Sequence, residues 1–469
     1  MTKSRTIMKY RTLIFFIVLI CCNITACRRS SQADDFVSVQ NAEFMLRNKT
    51  YRFTGINFWH AAYLGADIIP SGRERLAREL SLLKSYGVDN LRVMASAEQS
   101  DLEMSVVPAF HIMPGEYNEQ LLTGLDFLLD EMRRRNMKAV LVMNNYWQWS
   151  GGMAQYLNWV TGDSIIDPDA TGNWRGFMNF SAGFYYSEDA QKCFYKYLEH
   201  IIQRKNTINS IKYNQDPTIM TWELANEPRP HPQSLQNKEL LADYYKWIDS
   251  TARYIHSLAP NQLVTTGSEG LAGSLHDSAI YFDTHRIPAI DYITFHLWPK
   301  NWGWFKADRQ AETLPVVLEN ARRYCIRHIN YAEMLNKPTV LEEFGIGRDK
   351  ERFLPGTSVM ARDTFLSLIY EIIEDNVRSG KPIAGSNLWT WGGEGRSHHP
   401  DARWIQGTDY TGDPPQEPQG LNSVFDVDSS TLSIMKQHTE RIKMTGSFIS
   451  VGKKPAESMQ EIDIQASDQ

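Results

Sequence analysis

Two kinds of apolar pattern alternate along the chain. Short runs rich in branched apolar and aromatic residues are separated by longer segments in which apolar residues recur every three or four positions. In segment 73–86, for example, Leu76, Leu80 and Leu83 would share one face of a helix. The short runs predict eight strands, at residues 51–58, 90–95, 139–145, 219–226, 263–268, 292–298, 339–344 and 386–391. The longer segments predict helices at residues 73–86, 121–135, 189–204, 238–258, 311–335, 362–378 and 431–443.

This alternation predicts an α/β fold in which eight β–α units close into a (β/α)8 TIM barrel. Residues 36–39 and 43–46 predict a short N-terminal β-hairpin that caps the bottom of the barrel. Three connections are long, and long loops on a compact barrel are usually functional walls at its C-terminal face. We therefore predict a single catalytic domain over residues 36–445. The long connections are residues 146–186, 269–291 and 392–429.

Two of the predicted strands lead directly into glutamates. The run 219–226 is followed by Glu227, and the run 338–341 is followed by Glu342 and Glu343. In a TIM barrel the C-terminal strand ends carry the catalytic residues. Two carboxyls there suit cleavage of a glycosidic bond, in which one acid protonates the leaving oxygen and the other attacks the anomeric carbon.

Composition and charge narrow the class of partner. The chain has 469 residues, of which 42% are hydrophobic and 22% charged, as in soluble globular proteins. The net charge is −6 and the mature region has no long basic block, so we expect no nucleic acid partner. Several of the 13 tryptophans lie beside the candidate acids, which favours a sugar that stacks on rings. The spacing of His398, His399 and Asp401 is not that of a usual metal site, and we predict neither a metal nor a cofactor.

The N-terminal sequence predicts a targeting segment. Residues 1–27 carry basic Lys9 and Arg11, an apolar run at 13–22 too short to span a bilayer, and a lipoprotein-type box that ends at Cys27. We expect the mature chain to be secreted and lipid-anchored at Cys27 to the periplasmic face or surface of a bacterial envelope. The alternative is plain secretion after cleavage near this point.

The tether, the C-terminal tail and the two remaining cysteines each have a predicted role. Residues 28–35 predict a flexible tether, and the polar residues 446–469 predict a disordered tail. Cys193 and Cys325 are the two cysteines beyond Cys27, and Cys193 fits a small core residue better than half of a disulfide.

Seven motifs, in order and each at a predicted strand end, carry a family resemblance. Across residues 36–445 the chain resembles glycoside hydrolase family 5, and more narrowly its β-1,4-mannanase subfamily. The motifs are Gly-Ile-Asn-Phe-Trp at 55–59, Asn-Leu-Arg-Val at 90–93, Trp-Glu-Leu-Ala-Asn-Glu-Pro at 222–228, Thr-Thr-Gly-Ser-Glu-Gly at 265–270, Phe-His-Leu-Trp-Pro at 295–299, Leu-Glu-Glu-Phe-Gly at 341–345 and Asn-Leu-Trp-Thr-Trp-Gly-Gly-Glu-Gly-Arg at 387–396.

The resemblance implies a role for each polar motif residue. Glu227 would be the general acid/base and Glu343 the nucleophile of a retaining double displacement. Asn226 would bond the sugar 2-hydroxyl. Arg92 would contact the same region and keep Glu343 ionised, or would pair with Glu223 inside the barrel, and the two readings are compatible.

Two positions leave an alternative open. Glu342 and Glu343 are neighbours whose side chains point to opposite faces of a strand, so only one can face the cleft. The family places its nucleophile before the aromatic-glycine pair, which selects Glu343. His296 would line the catalytic subsite, the alternative being a buried core histidine.

Aromatic residues complete the expected substrate site. Trp389 would be the platform under the sugar at the point of cleavage, and Trp59 would also contact substrate. Trp298 stands where many relatives have a tyrosine whose hydroxyl bonds the nucleophile, and an indole N–H can donate but not accept. Further candidate sugar platforms are Trp147, Trp149, Trp159, Trp302 and Trp304.

The combined expectation is a retaining endo-β-1,4-mannanase acting on mannan, glucomannan or galactomannan. Residues 267–270 and 393–396 resemble the mannanase subfamily and favour mannan over the main alternative, a β-1,4-glucanase of the same family. A surface glycan-binding lipoprotein on an inactive barrel is the alternative from another class. It would be expected to lack one of the two acids, and both are present.

Overall fold

The computed structural model describes residues 35–445, and its centre is a ring of eight strands, each followed by a helix. The strands are β1 (Phe53–Asn57), β2 (Asn90–Met94), β3 (Lys138–Val142), β4 (Ile219–Glu223), β5 (Leu263–Thr265), β6 (Ile293–Leu297), β7 (Thr339–Phe344) and β8 (Ile383–Leu388). The helices are α1 (Gly72–Ser85), α2 (Glu119–Arg134), α3 (Glu188–Ile202), α4 (Lys238–Leu258), α5 (Ser278–Arg286), α6 (Gln310–Leu335), α7 (Met360–Arg378) and α8 (Ser429–Thr445).

All eight strands are parallel and follow the order β5-β4-β3-β2-β1-β8-β7-β6. The ends of this sheet also meet, because the Asp291 N–H donates to the Val264 carbonyl at 2.9 Å and the Thr265 hydroxyl to the Tyr292 carbonyl at 3.0 Å. The strands are buried on both faces, as expected for a parallel sheet covered by helices. The predicted TIM barrel is confirmed.

A small antiparallel sheet closes the N-terminal end of the barrel. Ser38–Gln40 pairs with Glu43–Leu46, which confirms the predicted hairpin, and Lys49–Thr50 adds a third short strand. Apolar side chains of this sheet pack against the first residues of the barrel strands. We call this group the bottom cluster, and its buried members are Val37, Phe44, Phe53, Met220, Leu263, Tyr292, Val340 and Ala384.

The element boundaries differ from prediction mainly at strand ends and in loops. β4 ends at Glu223, so Asn226 and Glu227 lie on a loop beyond it, and β8 begins and ends three residues early. The connection predicted at 269–291 contains α5, which begins where the Asp277 carboxylate accepts the N–H groups of Ala279 and Ile280.

Smaller elements occupy the other loops. The short helices are Ala61–Gly65, Gly152–Thr161, Pro168–Thr171 and Trp174–Ala182, with 3-10 turns at Gln148–Ser150, Gly183–Tyr186, Tyr213–Gln215, Ala307–Arg309 and Asp349–Glu351. Two further strand pairs are His111–Met113 with Glu116–Tyr117, and Trp391–Gly393 with Val424–Phe425.

The predictions for the chain termini lie outside the described residues. These are the signal segment 1–27 with Cys27, nearly all of the tether 28–35, and the tail 446–469. Within residues 35–445 none of the helices combines the length and apolar character needed to cross a bilayer. Cys193 and Cys325 are both free thiols, and Cys193 packs against the core as expected.

Candidate active site

A cleft of about 530 Å³ opens at the C-terminal ends of the barrel strands. Glu227 and Glu343 both line it, together with Asn226. The long loops after β3 and β8 and the segment after β6 form its walls, so the strand ends and the long connections meet as the sequence predicted. Six of its lining residues are tryptophans, namely Trp147, Trp149, Trp174, Trp298, Trp302 and Trp389.

Glu227 reaches the cleft from an unusual backbone conformation. Its φ of 50° lies in the left-handed region, which costs a residue with a Cβ about 1–2 kcal/mol. The Glu227 N–H donates to the Gly267 carbonyl at 2.9 Å, and the Asn226 N–H donates to the Asn144 carbonyl at 2.9 Å. Gly267 must be glycine here, because a Cβ would lie 2.0 Å from the Ala225 carbonyl oxygen.

The Glu227 carboxyl has two close partners. The Trp147 indole N–H donates to its Oε2 at 2.6 Å, and its Oε1 lies 2.7 Å from Nδ1 of His296. Burial raises the pKa of Glu227, while the Arg229 charge and the Trp147 bond oppose this rise. A carboxyl with a raised pKa can carry the proton that a leaving group needs.

Glu343 is turned toward the cleft by an irregularity at the end of β7. Phe295 pairs with Leu341 but the next residue, His296, pairs with Glu343, so Glu342 is bulged out of the ladder. Oε1 of Glu343 contacts the Arg92 guanidinium and Oε2 lies 3.3 Å from His296 Nδ1. Burial raises the pKa of Glu343 well above its ordinary value and also raises the pKa of Glu227. Of the two carboxyls, Glu343 is the one that bonds a guanidinium directly, and this bond favours its ionised form.

Arg92 is fully engaged within the protein. Its Nε and one Nη donate to the two oxygens of Glu223 at 2.8 and 2.5 Å. Its other three N–H groups are taken by Glu343, by Oδ1 of Asn57 at 3.1 Å and by Oδ1 of Asn226 at 2.9 Å. A guanidinium has five N–H donors, so none remains for a sugar. Arg92 thus pairs with both Glu343 and Glu223, as the sequence allowed. It was also predicted to contact substrate directly, but its donors instead hold Glu343 and Asn226.

Within residues 35–445, Asn226 has one side-chain donor without a partner. Its Oδ1 accepts from Arg92, and its Nδ2 donates one hydrogen to Oδ1 of Asn145 at 3.1 Å. The second Nδ2 hydrogen remains for a ligand in the cleft. The two bonds hold the amide orientation, because a flipped amide would face Arg92 with its donor group.

His296 lies between the two acids as a neutral imidazole. Ligand atoms of Glu227, His296 and Glu343 all lie within 4.8 Å of one another, a spacing that could also hold a metal ion. Burial, assisted by the Arg92 charge, lowers the pKa of His296 to about 3. A cation at this point would face the Arg92 guanidinium bonded to Glu343 and the Arg229 charge beside Glu227, which disfavours it. The trio is better suited to proton transfer and nucleophilic attack.

The aromatic residues nearest the acids differ in exposure to the cleft. Trp298 and Trp389 both line it and pack edge to face, with ring centroids 5.7 Å apart. The Trp298 indole opposes the rise in the pKa of Glu227, so it acts on the acid/base and does not replace the tyrosine that would bond the nucleophile. Trp59 does not line the main cleft. It is 2% exposed and its indole N–H donates to the Gly412 carbonyl at 2.5 Å.

The distal tryptophans divide into two groups. Trp147, Trp149 and Trp302 line the cleft. Trp159 and Trp304 do not line the cleft. Trp159 packs against His111, and Trp304 packs against Trp302. Their ring contacts therefore point to packing rather than to a sugar platform.

A charged network beside Glu227 was not foreseen from the sequence. The Arg229 guanidinium lies over the Trp147 ring, 4.7 Å from its centroid, and its Nε donates to Glu269 at 2.9 Å. The Trp302 indole donates to the other oxygen of Glu269 at 3.1 Å. Glu269 belongs to the motif at 265–270 and Arg229 directly follows the motif at 222–228, so two charged residues near the ends of neighbouring strands were the available signal.

Glu417 and Trp174 are further cleft residues that the sequence did not reveal. Burial raises the pKa of Glu417 to about 8, with the charge of Asp413 adding to the effect. This rise favours the protonated form of Glu417, which can donate to a sugar hydroxyl. Its loop has no regular element, and so no periodic pattern pointed to it.

The family model that matches this chain is the β-mannosidase-like model of glycoside hydrolase family 5, over residues 34–447. The chain belongs to this family. As a family 5 glycoside hydrolase it has the predicted enzyme class, and the predicted family resemblance is confirmed.

Two curated relatives match about three quarters of the chain. It is 28% identical over 369 residues to mannan endo-1,4-β-mannosidase 1 of Arabidopsis thaliana, covering 76% of this chain and 81% of the relative. It is 30% identical over 369 residues to mannan endo-1,4-β-mannosidase 1 of Oryza sativa subsp. japonica, covering 76% and 78%. The chain thus covers more than three quarters of each relative's length.

Solved structures of the family give the same architecture. A family 5 mannosidase from Rhizomucor miehei superposes with a TM-score of 0.81 at 33% identity, covering 88% of this chain and 99% of that one. The endo-β-1,4-mannanase of Thermotoga petrophila superposes with a TM-score of 0.61 at 21% identity, covering 86% and 78%, which shows the shared fold.

Proposed function

We propose that the protein is an endo-β-1,4-mannanase that cleaves its substrate with retention of anomeric configuration. The observation that carries this proposal is the pair Glu227 and Glu343, whose oxygens lie within 4.8 Å of each other across the cleft. Retaining glycosidases place their carboxyls about 5 Å apart, whereas inverting enzymes need about 6.5–9.5 Å to admit a water molecule.

In the first step Glu343 attacks the anomeric carbon while Glu227 gives its proton to the glycosidic oxygen. The bond between that oxygen and the anomeric carbon breaks, and a covalent glycosyl ester forms on Glu343. Arg92 supports this step because it favours the ionised form of Glu343. The indole of Trp147 fixes the carboxyl of Glu227 toward the cleft.

In the second step Glu227, now ionised, removes a proton from a water molecule. The resulting oxygen attacks the anomeric carbon from the face that the leaving group occupied, and Glu343 departs as a carboxylate. Two inversions give net retention. The raised pKa of Glu227 suits this alternation between acid and base.

Mannan as substrate is supported by the relatives and by the placement of Asn226. Mannose differs from glucose in its axial 2-hydroxyl, and the free Nδ2 hydrogen of Asn226 is the donor we assign to that oxygen. Curated relatives of comparable length are named for mannan cleavage, and a family 5 mannosidase from Rhizomucor miehei was solved with mannosyl-fructose. Endo action is supported by the same relatives' names and by tryptophans on several walls of the cleft.

A substrate panel tests this proposal. The purified enzyme should release reducing ends from mannan, galactomannan or glucomannan at least about tenfold faster than from carboxymethyl-cellulose, since one buried hydrogen bond is worth roughly 1–3 kcal/mol. Endo action predicts a fast fall in viscosity at low release of reducing ends. Equal or higher rates on β-glucan would contradict the mannanase assignment, and mannose as the sole early product would contradict endo action.

We also propose that the enzyme is exported and held at the bacterial envelope by an acyl chain on Cys27. The support is the basic, apolar and box pattern of residues 1–27. The wild-type protein should partition into membranes, and Cys27→Ser should be released or left unprocessed with the same specific activity once purified. Recovery of all the wild-type protein in the soluble medium would contradict the anchor.

A further inference from the structure

A further buried carboxyl lies beneath Glu227 and Glu343. Glu342 is fully buried in β7 and is absent from the cleft lining. Its Oε1 lies 3.1 Å from the hydroxyl of Tyr292, and its Oε2 has no hydrogen-bond partner within residues 35–445. Tyr292 is a member of the bottom cluster. Glu342 therefore sits between the catalytic residues and the apolar closure of the barrel.

Among the residues that the structure describes, no cation with a free N–H group faces Glu342. Arg92 is the cation that faces it, and all five of its N–H groups are taken by Glu223, Glu343, Asn57 and Asn226. The charged and titratable groups that face Glu342 are Arg92 from β2, Glu223 from β4, Tyr281 from α5, Tyr292 at the start of β6 and Glu343 of its own strand.

An ionised carboxylate would be costly in this position. It would leave a buried oxygen without a donor, close to the Glu223 and Glu343 carboxyls. Burial, and then the charge of Glu223, raises the pKa of Glu342 well above its ordinary value. A protonated carboxyl costs less here, because the Tyr292 hydroxyl can still donate to Oε1 while no unpaired negative charge is buried.

We propose that Glu342 is a permanently protonated positioning residue whose neutrality leaves the Arg92 guanidinium free to hold the nucleophile, Glu343, in its ionised form. A negative charge at Glu342 would compete for Arg92 and would oppose ionisation of Glu343. This inference rests on the proposed role of Glu343. The protonation state of Glu342, however, is measurable without any glycosidase activity.

Stability measured against pH tests the protonation state. A group whose pKa is raised by folding stabilises the protein below its unfolded pKa, ordinarily 4.5 for glutamate, and loses this contribution as the pH rises. Glu342→Gln keeps the shape and removes the titration. Relative to wild type, the unfolding constant of Glu342→Gln should fall by up to about tenfold per pH unit above pH 5, as measured by urea unfolding from pH 4 to pH 8.

Asp428→Asn is the matched control. Asp428 is buried and bonds Arg348 and Arg362, which together lower its pKa. Its contribution is fully present above its ordinary pKa of 3.8, so the control should lose stability by an amount that stays constant from pH 5 to pH 8. A constant loss in Glu342→Gln as well would show that Glu342 is ionised in the wild type and would overturn the proposal.

The pH dependence of kcat/KM tests the effect on the nucleophile. Glu342→Gln should leave the acid limb in place, because no charge is removed. Asn57→Asp adds a carboxylate to the same guanidinium and should move the acid limb to higher pH. A shift of the acid limb to lower pH in Glu342→Gln would overturn the proposal. Absence of glycosidase activity in the wild type would refute the proposed function and leave the unfolding result standing.

Discussion

The two ends of the barrel are built from the same eight strands but bury opposite kinds of side chain. At the N-terminal end the bottom cluster brings together apolar residues of the hairpin and the strand starts, such as Phe44 and Phe53. At the C-terminal end Arg92, Glu227 and Glu343 are all less than 10% exposed. Apolar burial stabilises the fold directly, whereas buried charges do so only when every donor and acceptor is matched.

This difference assigns separate tasks to the two ends. The apolar end contributes stability and no chemistry. The charged end contains two acids whose pKa burial raises, and one of them, Glu227, has a left-handed backbone. These features are costly for folding and useful for catalysis. Substitutions at the top should therefore change turnover far more than stability, and substitutions at the bottom should do the reverse.

Removing the nucleophile should give the largest effect. Glu343→Ala should lower kcat on every substrate by at least about 10⁴-fold, because the covalent step has no substitute in the cleft. Circular dichroism should show the fold unchanged, and azide should restore some turnover with inverted configuration in the product. Normal activity in Glu343→Ala combined with inactivity in Glu342→Ala would reverse the assignment of the two neighbours.

Removing the acid/base should give the next largest effect. Glu227→Ala should lower kcat/KM on mannan by roughly 10²–10⁴-fold, because the sugar leaving group needs a proton. On an aryl mannoside, the aryl leaving group departs without that proton. The first step on this substrate should therefore be nearly unaffected. Stopped-flow release of the phenol measures this step. Equal losses on both substrates would mean that Glu227 is not the acid.

A change at the apolar end should lower stability instead of turnover. Phe44 is fully buried, and Phe44→Ala should lower the free energy of unfolding by about 3–5 kcal/mol. Urea unfolding measures this change, and kcat/KM at 25 °C should match the wild type. A large loss of kcat/KM in folded Phe44→Ala would show that the two ends are not independent.

Removing a hydrogen bond that supports the acid/base should give the smallest effect. Trp147→Phe keeps a ring but removes the indole N–H that bonds Glu227, which should lower kcat/KM roughly tenfold. That bond lowers the pKa of Glu227, so the alkaline limb of the pH profile should move to higher pH. Trp159→Phe, in the same loop but outside the cleft, is the control and should leave the limb in place.

The sequence predicted the barrel because its signals are local. Apolar runs and helical periodicity repeat eight times, and the acids lie next to two of the runs. The parallel sheet then brings all C-terminal strand ends to one face, so Glu227 and Glu343 meet without further information.

The remaining features of the site depend on contacts between distant segments. That Arg92 has no donor left for a sugar follows from four partners on β1, β4, β7 and the loop after β4, which no single motif contains. The stacking of Arg229 on Trp147 joins two residues that are distant in the sequence and meet only on folding. The helix α5 was not predicted because its nine residues are too few to show a clear helical period.

The configuration of the first-formed product is the measurement that tests the central claim most directly. Proton NMR of the enzyme acting on a β-1,4-mannooligosaccharide resolves the α and β anomeric signals before they equilibrate. Carboxyls within 4.8 Å of each other predict that the β-anomer appears first and the α-anomer only later, by mutarotation. Initial appearance of the α-anomer would mean direct attack by water and would contradict Glu343 as the nucleophile.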